Sequence, residues 1–144
     1  MAQKLLVIDD QKGVARVVGL VAEALAYETR IETRPEEAAE TFITFQPDVV
    51  MLDMIMPEKD GIDVLQELLL IGSSFRLVLT SGFSTGYLQL AEQVARMHGM
   101  TGVTVLRKPF RRDDLRSALR PEWTVISARP SSAAPAGWHR FAAV

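Results

Sequence analysis

Leu5-Leu6-Val7-Ile8-Asp9-Asp10 is the stretch that decides the fold. A short, unbroken apolar run ending in β-branched residues suits a strand covered on both faces, as happens in parallel sheets flanked by helices. It stops abruptly on two aspartates. Beyond them Val14, Val17, Val18, Val21 and Leu25 recur at the spacing of one helix face. The same cadence returns along the chain. Asp48-Val49-Val50-Met51-Leu52 reads as a strand ending on Asp53, Arg76-Leu77-Val78-Leu79 as one ending on Thr80, and Val103-Thr104-Val105-Leu106 as one leading to Lys108-Pro109. A less distinct strand is expected around Thr29 to Thr33, where Thr33 and Glu36 have the spacing of a capping box with Pro35 in the first turn. After the turn-like Pro57 to Gly61, Ile62, Leu65, Leu68 and Leu69 mark the inner face of a helix. Gly82 and Gly86 are expected to bracket a loop before a helix from about Tyr87 to His98. Leu115, Ala118 and Leu119 mark a last helix, with Asp113 and Asp114 at its positive end. Strands alternating with helices predict an α/β fold, a five-stranded parallel sheet with helices on both faces, doubly wound, over residues 1–120.

Composition narrows the function. With 144 residues there is room for one sizeable core, and a formal net charge of -2 offers no general attraction for nucleic acid. The absence of cysteine excludes disulfides, thiolate nucleophiles and cysteine-ligated zinc. No apolar run approaches the ~18 residues of a membrane span, and the segment from Met1 to Leu6 lacks a leader-like apolar core, so a cytoplasmic location is expected. Residues 121–144 form a Pro/Ala/Ser-rich tail broken by Pro121, Pro130 and Pro135. Partial disorder is expected there. The tail carries both tryptophans, Trp123 and Trp138, which leaves a docking peptide as the alternative.

In an open parallel sheet ligands bind beyond the carboxyl ends of the strands. Read in order, those ends carry Asp9 and Asp10, Asp53, Thr80 and Lys108. Carboxylates, a hydroxyl and an ammonium at one rim suit a hard divalent cation together with an anion. Two unit charges ~4 Å apart repel by about 4 kcal/mol at an effective dielectric near 20, so the acidic cluster calls for a cation. Magnesium, which keeps several waters and takes one or two carboxylates, fits better than calcium, whose loop signature is missing. Lys108 would balance the anion's charge, Thr80 could donate to one of its oxygens, and Asp53 is left facing the phosphorus as a carboxylate nucleophile.

These residues resemble the receiver domains of two-component response regulators, a flavodoxin-like fold. The resemblance rests on Asp9-Asp10, on Asp53-Met54-Ile55-Met56-Pro57 with Gly61, on Thr80-Ser81-Gly82 and on Lys108-Pro109-Phe110, all in order on predicted strand ends, and covers residues 4 to 119. It implies that Asp53 accepts a phosphoryl group from a phosphohistidine of a sensor histidine kinase or phosphotransfer protein. It implies that Asp10 and Asp53 bind magnesium directly, Asp9 through water, and that the backbone carbonyl of Ile55 completes the set. Thr80 and Lys108 would read the product and reshape the face of the fourth helix, fifth strand and fifth helix. One departure stands out: the family usually has Phe or Tyr three residues before the lysine, where this chain has Val105. Ile55 and Gly82 offer no acid or amide to position an attacking water, so a long-lived phosphoryl aspartate is expected.

Blander readings exist for each residue alone. Asp9 and Asp10 could cap the first helix, His98 could simply sit at a helix end, and Arg111-Arg112 could be solvated charge. Met51, Met54 and Met56 are expected to fill core gaps. For the whole, the leading expectation is a stand-alone receiver that is not an enzyme, signalling to an unknown downstream protein, with no nucleic acid or membrane partner. A homodimer through the last helices is left open. The alternatives are a phosphate sink or relay intermediate, an unphosphorylated scaffold, and an aspartate-nucleophile phosphatase of the haloacid-dehalogenase type. The last is disfavoured because those enzymes carry Asp-x-Asp after the first strand and this chain has Asp9-Asp10-Gln11.

Overall fold

A computed structural model describes residues 2–82 and 85–120. The tail at 121–144, with Trp123 and Trp138, lies outside the described residues. Five strands, β1 (Lys4–Ile8), β2 (Glu28–Glu32), β3 (Val49–Asp53), β4 (Arg76–Ser81) and β5 (Val103–Arg107), form one parallel sheet in the order β2-β1-β3-β4-β5. Between them run α1 (Lys12–Ala24), α2 (Ala38–Phe45), α3 (Gly61–Ile71) and α4 (Thr85–Met97), and α5 (Arg112–Leu119) closes the described chain. The doubly wound α/β sheet expected from the sequence is the fold observed.

Side-chain alternation along each strand divides the core in two. Leu6, Ile8, Val50, Leu52, Leu77 and Leu79 face α2, α3 and α4, whose Phe42, Leu65, Leu68 and Ala91 pack against them. Leu5, Val7, Val49, Met51 and Val78 face α1 and α5, meeting Ala15, Val18, Ala22 and Leu115. The central strand β3 is buried throughout, which its unbroken apolar run foretold. Met51, Met54 and Met56 are all buried, as gap-filling residues should be.

Several local expectations need correction. Val17 does not join the inner face of α1; it is exposed, and the small Ala15 and Ala22 take the inward places, letting the helix lie close to the sheet. Thr33 and Glu36 form no capping box: a 3-10 turn at Pro35–Glu37 starts after Arg34, and no side chain caps it. Pro35, lacking an N–H, is buried in that turn. Gly86 belongs to α4, which begins at Thr85. On α5 the carboxylate of Asp114 accepts the N–H of Arg111 at 3.2 Å, so one of the two acids foreseen at its positive end caps it, while Asp113 pairs with Arg116.

The first strand starts and the last helix ends on the same side of the molecule. Glu28 N–H donates to Gln3 O at 2.9 Å, while the neighbouring Tyr27 hydroxyl donates to Leu119 O at 2.5 Å. Arg76 donates to the Tyr27 oxygen at 3.0 Å and to Ala118 O at 3.5 Å, setting a cation at the negative end of α5. The carboxyl ends of the strands, with the aspartates, lie at the opposite edge.

Candidate functional site

Strand register assembles the site. Asp53 pairs with Thr80 across β3 and β4, and Met54 N–H donates to Thr80 O at 2.9 Å, so both residues lie at one level near the carboxyl ends of their strands. Lys108 follows β5 directly, its N–H bound to Ser81 O at 3.0 Å. Asp9 follows β1 directly, its N–H bound to Glu32 O at 3.1 Å. Behind Asp53 the chain turns back so that Gly61 N–H meets Met54 O at 3.1 Å. A Cβ on Gly61 would come within 2.5–2.8 Å of the Met54 backbone, so only glycine allows that turn.

The side chains converge. Lys108 Nζ donates to Asp9 Oδ2 at 2.9 Å, to Gln11 Oε1 at 2.9 Å and to Asp53 Oδ2 at 3.2 Å. Asp53 Oδ1 accepts the N–H of Ile55 at 3.2 Å, and Asp9 Oδ1 that of Gln11 at 2.9 Å. Asp9, Asp53 and Thr80 are buried, whereas Asp10 is half-buried. Carboxylate oxygens of Asp9, Asp10 and Asp53 lie within 4.8 Å of one another. Burial, then the nearby Asp9 charge, push the Asp53 carboxyl from an ordinary 3.8 up to about 6, against the opposing pull of Lys108 and the Ile55 N–H.

Above these groups opens a cavity of about 760 Å³ with Asp10, Gln11, Asp53 and Lys108 on its wall and Val14, Val17, Ile55, Met56 and Phe110 around them. Three carboxylates against one ammonium leave two negative charges uncompensated, and half-buried Asp10 lines the cavity. That donor set, all oxygen and doubly negative, fits a hard divalent cation. Every residue singled out on the strand ends is thus brought to one rim. Val105 is not: it pairs with Leu79 on the edge strand and is exposed. The exposed His98 sits just beyond α4, its Nδ1 2.9 Å from Val94 O, as a helix-end residue would. Gln11 is the site residue that sequence reasoning missed, because its partner lies 97 residues away and no local pattern signals the contact.

An acidic rim with one lysine, at the carboxyl ends of an open parallel sheet, defines a class of α/β modules whose ligand site lies at that edge. The family model of the response regulator receiver domain matches residues 5–120, and the chain belongs to that family. It is 28% identical over 120 residues to Sporulation initiation phosphotransferase F of Bacillus subtilis, covering 83% of this chain and 93% of that protein. To Chemotaxis protein CheY of Thermotoga maritima it is 29% identical over 82 residues, covering 56% of this chain and 68% of the other. Among solved structures, a response regulator from Colwellia psychrerythraea superposes with a TM-score of 0.71 at 26% identity, over 90% of this chain and all (100%) of that one. A CheY-like receiver domain protein from Methanospirillum hungatei gives 0.75 at 15% identity, over 89% and 98% of the two chains, a likeness of fold alone. Among the described residues no helix is long and apolar enough to cross a membrane.

Proposed function

We propose that this receiver domain accepts a phosphoryl group on Asp53 from a phosphohistidine of a sensor kinase or phosphotransfer protein, with magnesium at the acidic rim. The observation that carries the reading is Lys108 Nζ held between Asp9 and Asp53 beside a carboxylate cluster that spans 4.8 Å. Asp10 and Asp53, with the Ile55 carbonyl, would hold the metal, and Asp9 would reach it through water. The bound cation would supply charge compensation for the transferring phosphoryl oxygens. Asp53 attacks phosphorus through one carboxylate oxygen, a P–O bond forms as the donor's bond breaks, and the leaving group departs with the electron pair. Lys108 follows the charge onto the phosphoryl oxygens, and Thr80, one strand over, is near enough in register to answer the new group.

Acetyl phosphate labelling with and without magnesium, read by intact mass, tests this. One magnesium-dependent phosphoryl adduct is expected, and none in the Asp53→Asn variant; an adduct surviving in that variant would move the acceptor elsewhere. Continuous release of phosphate from a small ester would instead argue for a phosphatase, against the reading of a phosphoacceptor that is not an enzyme.

Relay or phosphate-sink duty is a second reading, favoured by Val105: exposed on β5 and without a ring, it cannot swing an aromatic group inward to report on Thr80. The relative named as a phosphotransferase points the same way. Fast return of the phosphoryl group to a histidine protein would support it. A location in the cytoplasm and signalling by contact with another protein complete the proposal. The Arg116–Asp113 pair within α5 and the Arg111–Asp114 pair at its start, at 3.0 and 3.5 Å, are made inside one chain, so those charges do not require a second copy. The phosphoryl group should persist: Ile55 and Gly82 offer water no base, and the Gln11 carbonyl is already taken by Lys108. Decay of the purified phosphoprotein in magnesium is expected over minutes or longer, and loss within seconds would refute that.

A further inference from the structure

Gln11 occupies the residue before α1, where a short Ser, Asp or Asn would ordinarily cap the helix. Its side chain makes no capping bond; the glutamine arm reaches instead across the rim to Lys108. An ammonium has three hydrogens to donate, and here Asp9, Asp53 and Gln11 take one each. Two of those acceptors carry charge, and one of the two, Asp53, is the group that reacts. When a phosphoryl group sits on Asp53, the hydrogen once directed at its carboxylate must turn to a phosphoryl oxygen. Asp9 and Gln11 are the anchors that stay.

We propose that Gln11 is a positioning residue for phosphoryl transfer, a neutral tether that fixes the direction of the Lys108 ammonium without cancelling its charge. The inference rests on Asp53 being the phosphoacceptor. Neutrality is the substance of it. A carboxylate at this place would accept the same hydrogen but would add a further negative charge to a rim that already carries three carboxylates, and so would draw Lys108 away from the incoming phosphoryl oxygens. Asparagine would be one methylene too short to keep the 2.9 Å contact. Because Gln11 is exposed, water competes for the hydrogen, so the effect is one of orientation and stays moderate.

The test compares the full chain with Gln11→Ala, Gln11→Glu and Gln11→Asn, each with two readouts. The first is the rate of labelling by acetyl phosphate in saturating magnesium as the donor is varied. The maximal rate of Gln11→Ala should fall about five- to tenfold, the worth of a hydrogen bond to a charged group partly replaced by water, with the half-saturating donor concentration unchanged. Gln11→Asn should resemble alanine, and Gln11→Glu should be no faster than alanine despite its equal length. The second readout is the ¹⁵N resonance of the Lys108 ammonium at low temperature, which should shift or broaden in Gln11→Ala. Wild-type rates with an unmoved lysine resonance would overturn the proposal. So would a rate loss explained by thermal destabilisation alone, with the resonance unmoved. If the unaltered chain takes no phosphoryl group, the phosphoacceptor reading falls, and the resonance still decides whether the tether exists.

Discussion

Asp53 is asked to be both buried and ionised, and its chemistry follows from that conflict. Its carboxyl titrates near 6 in the folded chain against an ordinary 3.8, so the folded state holds its proton more tightly than the unfolded one. The raised value therefore contributes stability below about pH 4, and that contribution is lost as the pH rises through about 6. At pH 7 the metal-free protein carries a strain on the order of 1–3 kcal/mol from this one charge. Asp53→Asn should remove it. Urea unfolding in a chelator is expected to find the variant more stable than the parent at pH 7, with the difference shrinking toward pH 4. Equal stability at pH 7 would mean that the rim is relaxed without a cation. The sequence shows Asp53 at a strand end, but not that Asp9 and Lys108 lie within a hydrogen bond's reach, since strand order and register are tertiary facts.

At the level of elements, the strands were the most legible parts, because burial on both faces leaves a continuous apolar run that nothing else in a short domain imitates. Helix faces were less so. The valines of α1 share one arc, but the buried arc is rotated toward the alanines, which spacing alone does not reveal; contact with the sheet selects Ala15, Val18, Val21 and Ala22 and leaves Val17 on the cavity wall. Capping was misread at Thr33 because the buried Pro35 draws the chain into a 3-10 turn before α2 starts. The tie between α5 and the body of the sheet, through Tyr27, Arg76 and the carbonyls of Ala118 and Leu119, leaves no local mark at all, since its partners are 42 to 92 residues apart. Tyr27→Phe deletes the hydroxyl from a buried site and should cost about 1–2 kcal/mol in chemical unfolding. Acetyl phosphate labelling should be unchanged, as the tie lies at the far end of the strands from Asp53; a parallel loss of labelling would show that the two ends are coupled.

Taken whole, the described residues form three layers, a sheet between two sets of helices, with unbalanced negative charge concentrated at one edge. A cation binding there favours the folded state by mass action, about 2.7 kcal/mol at a concentration one hundred times its dissociation constant. Thermal unfolding should therefore shift upward with added magnesium, and the shift should be much reduced in Asp10→Asn, which removes the most accessible carboxylate of the cluster. An equal shift in both proteins would place the ion elsewhere. Fold class and rim were both readable from the chain because parallel strands all send their ends to one side, so chemistry written at the ends of apolar runs collects in one place.

The meeting of Gln3 and Leu119 beside Tyr27 and Glu28 has a practical side. Each strand of five residues spans roughly 15 Å, so anything grafted onto either end of this fold begins about that far from the acidic edge and on the other side of the sheet. Dyes or cross-linkers placed on the exposed positions Ala2 or Arg120 would sit at that far edge and leave the acidic rim open.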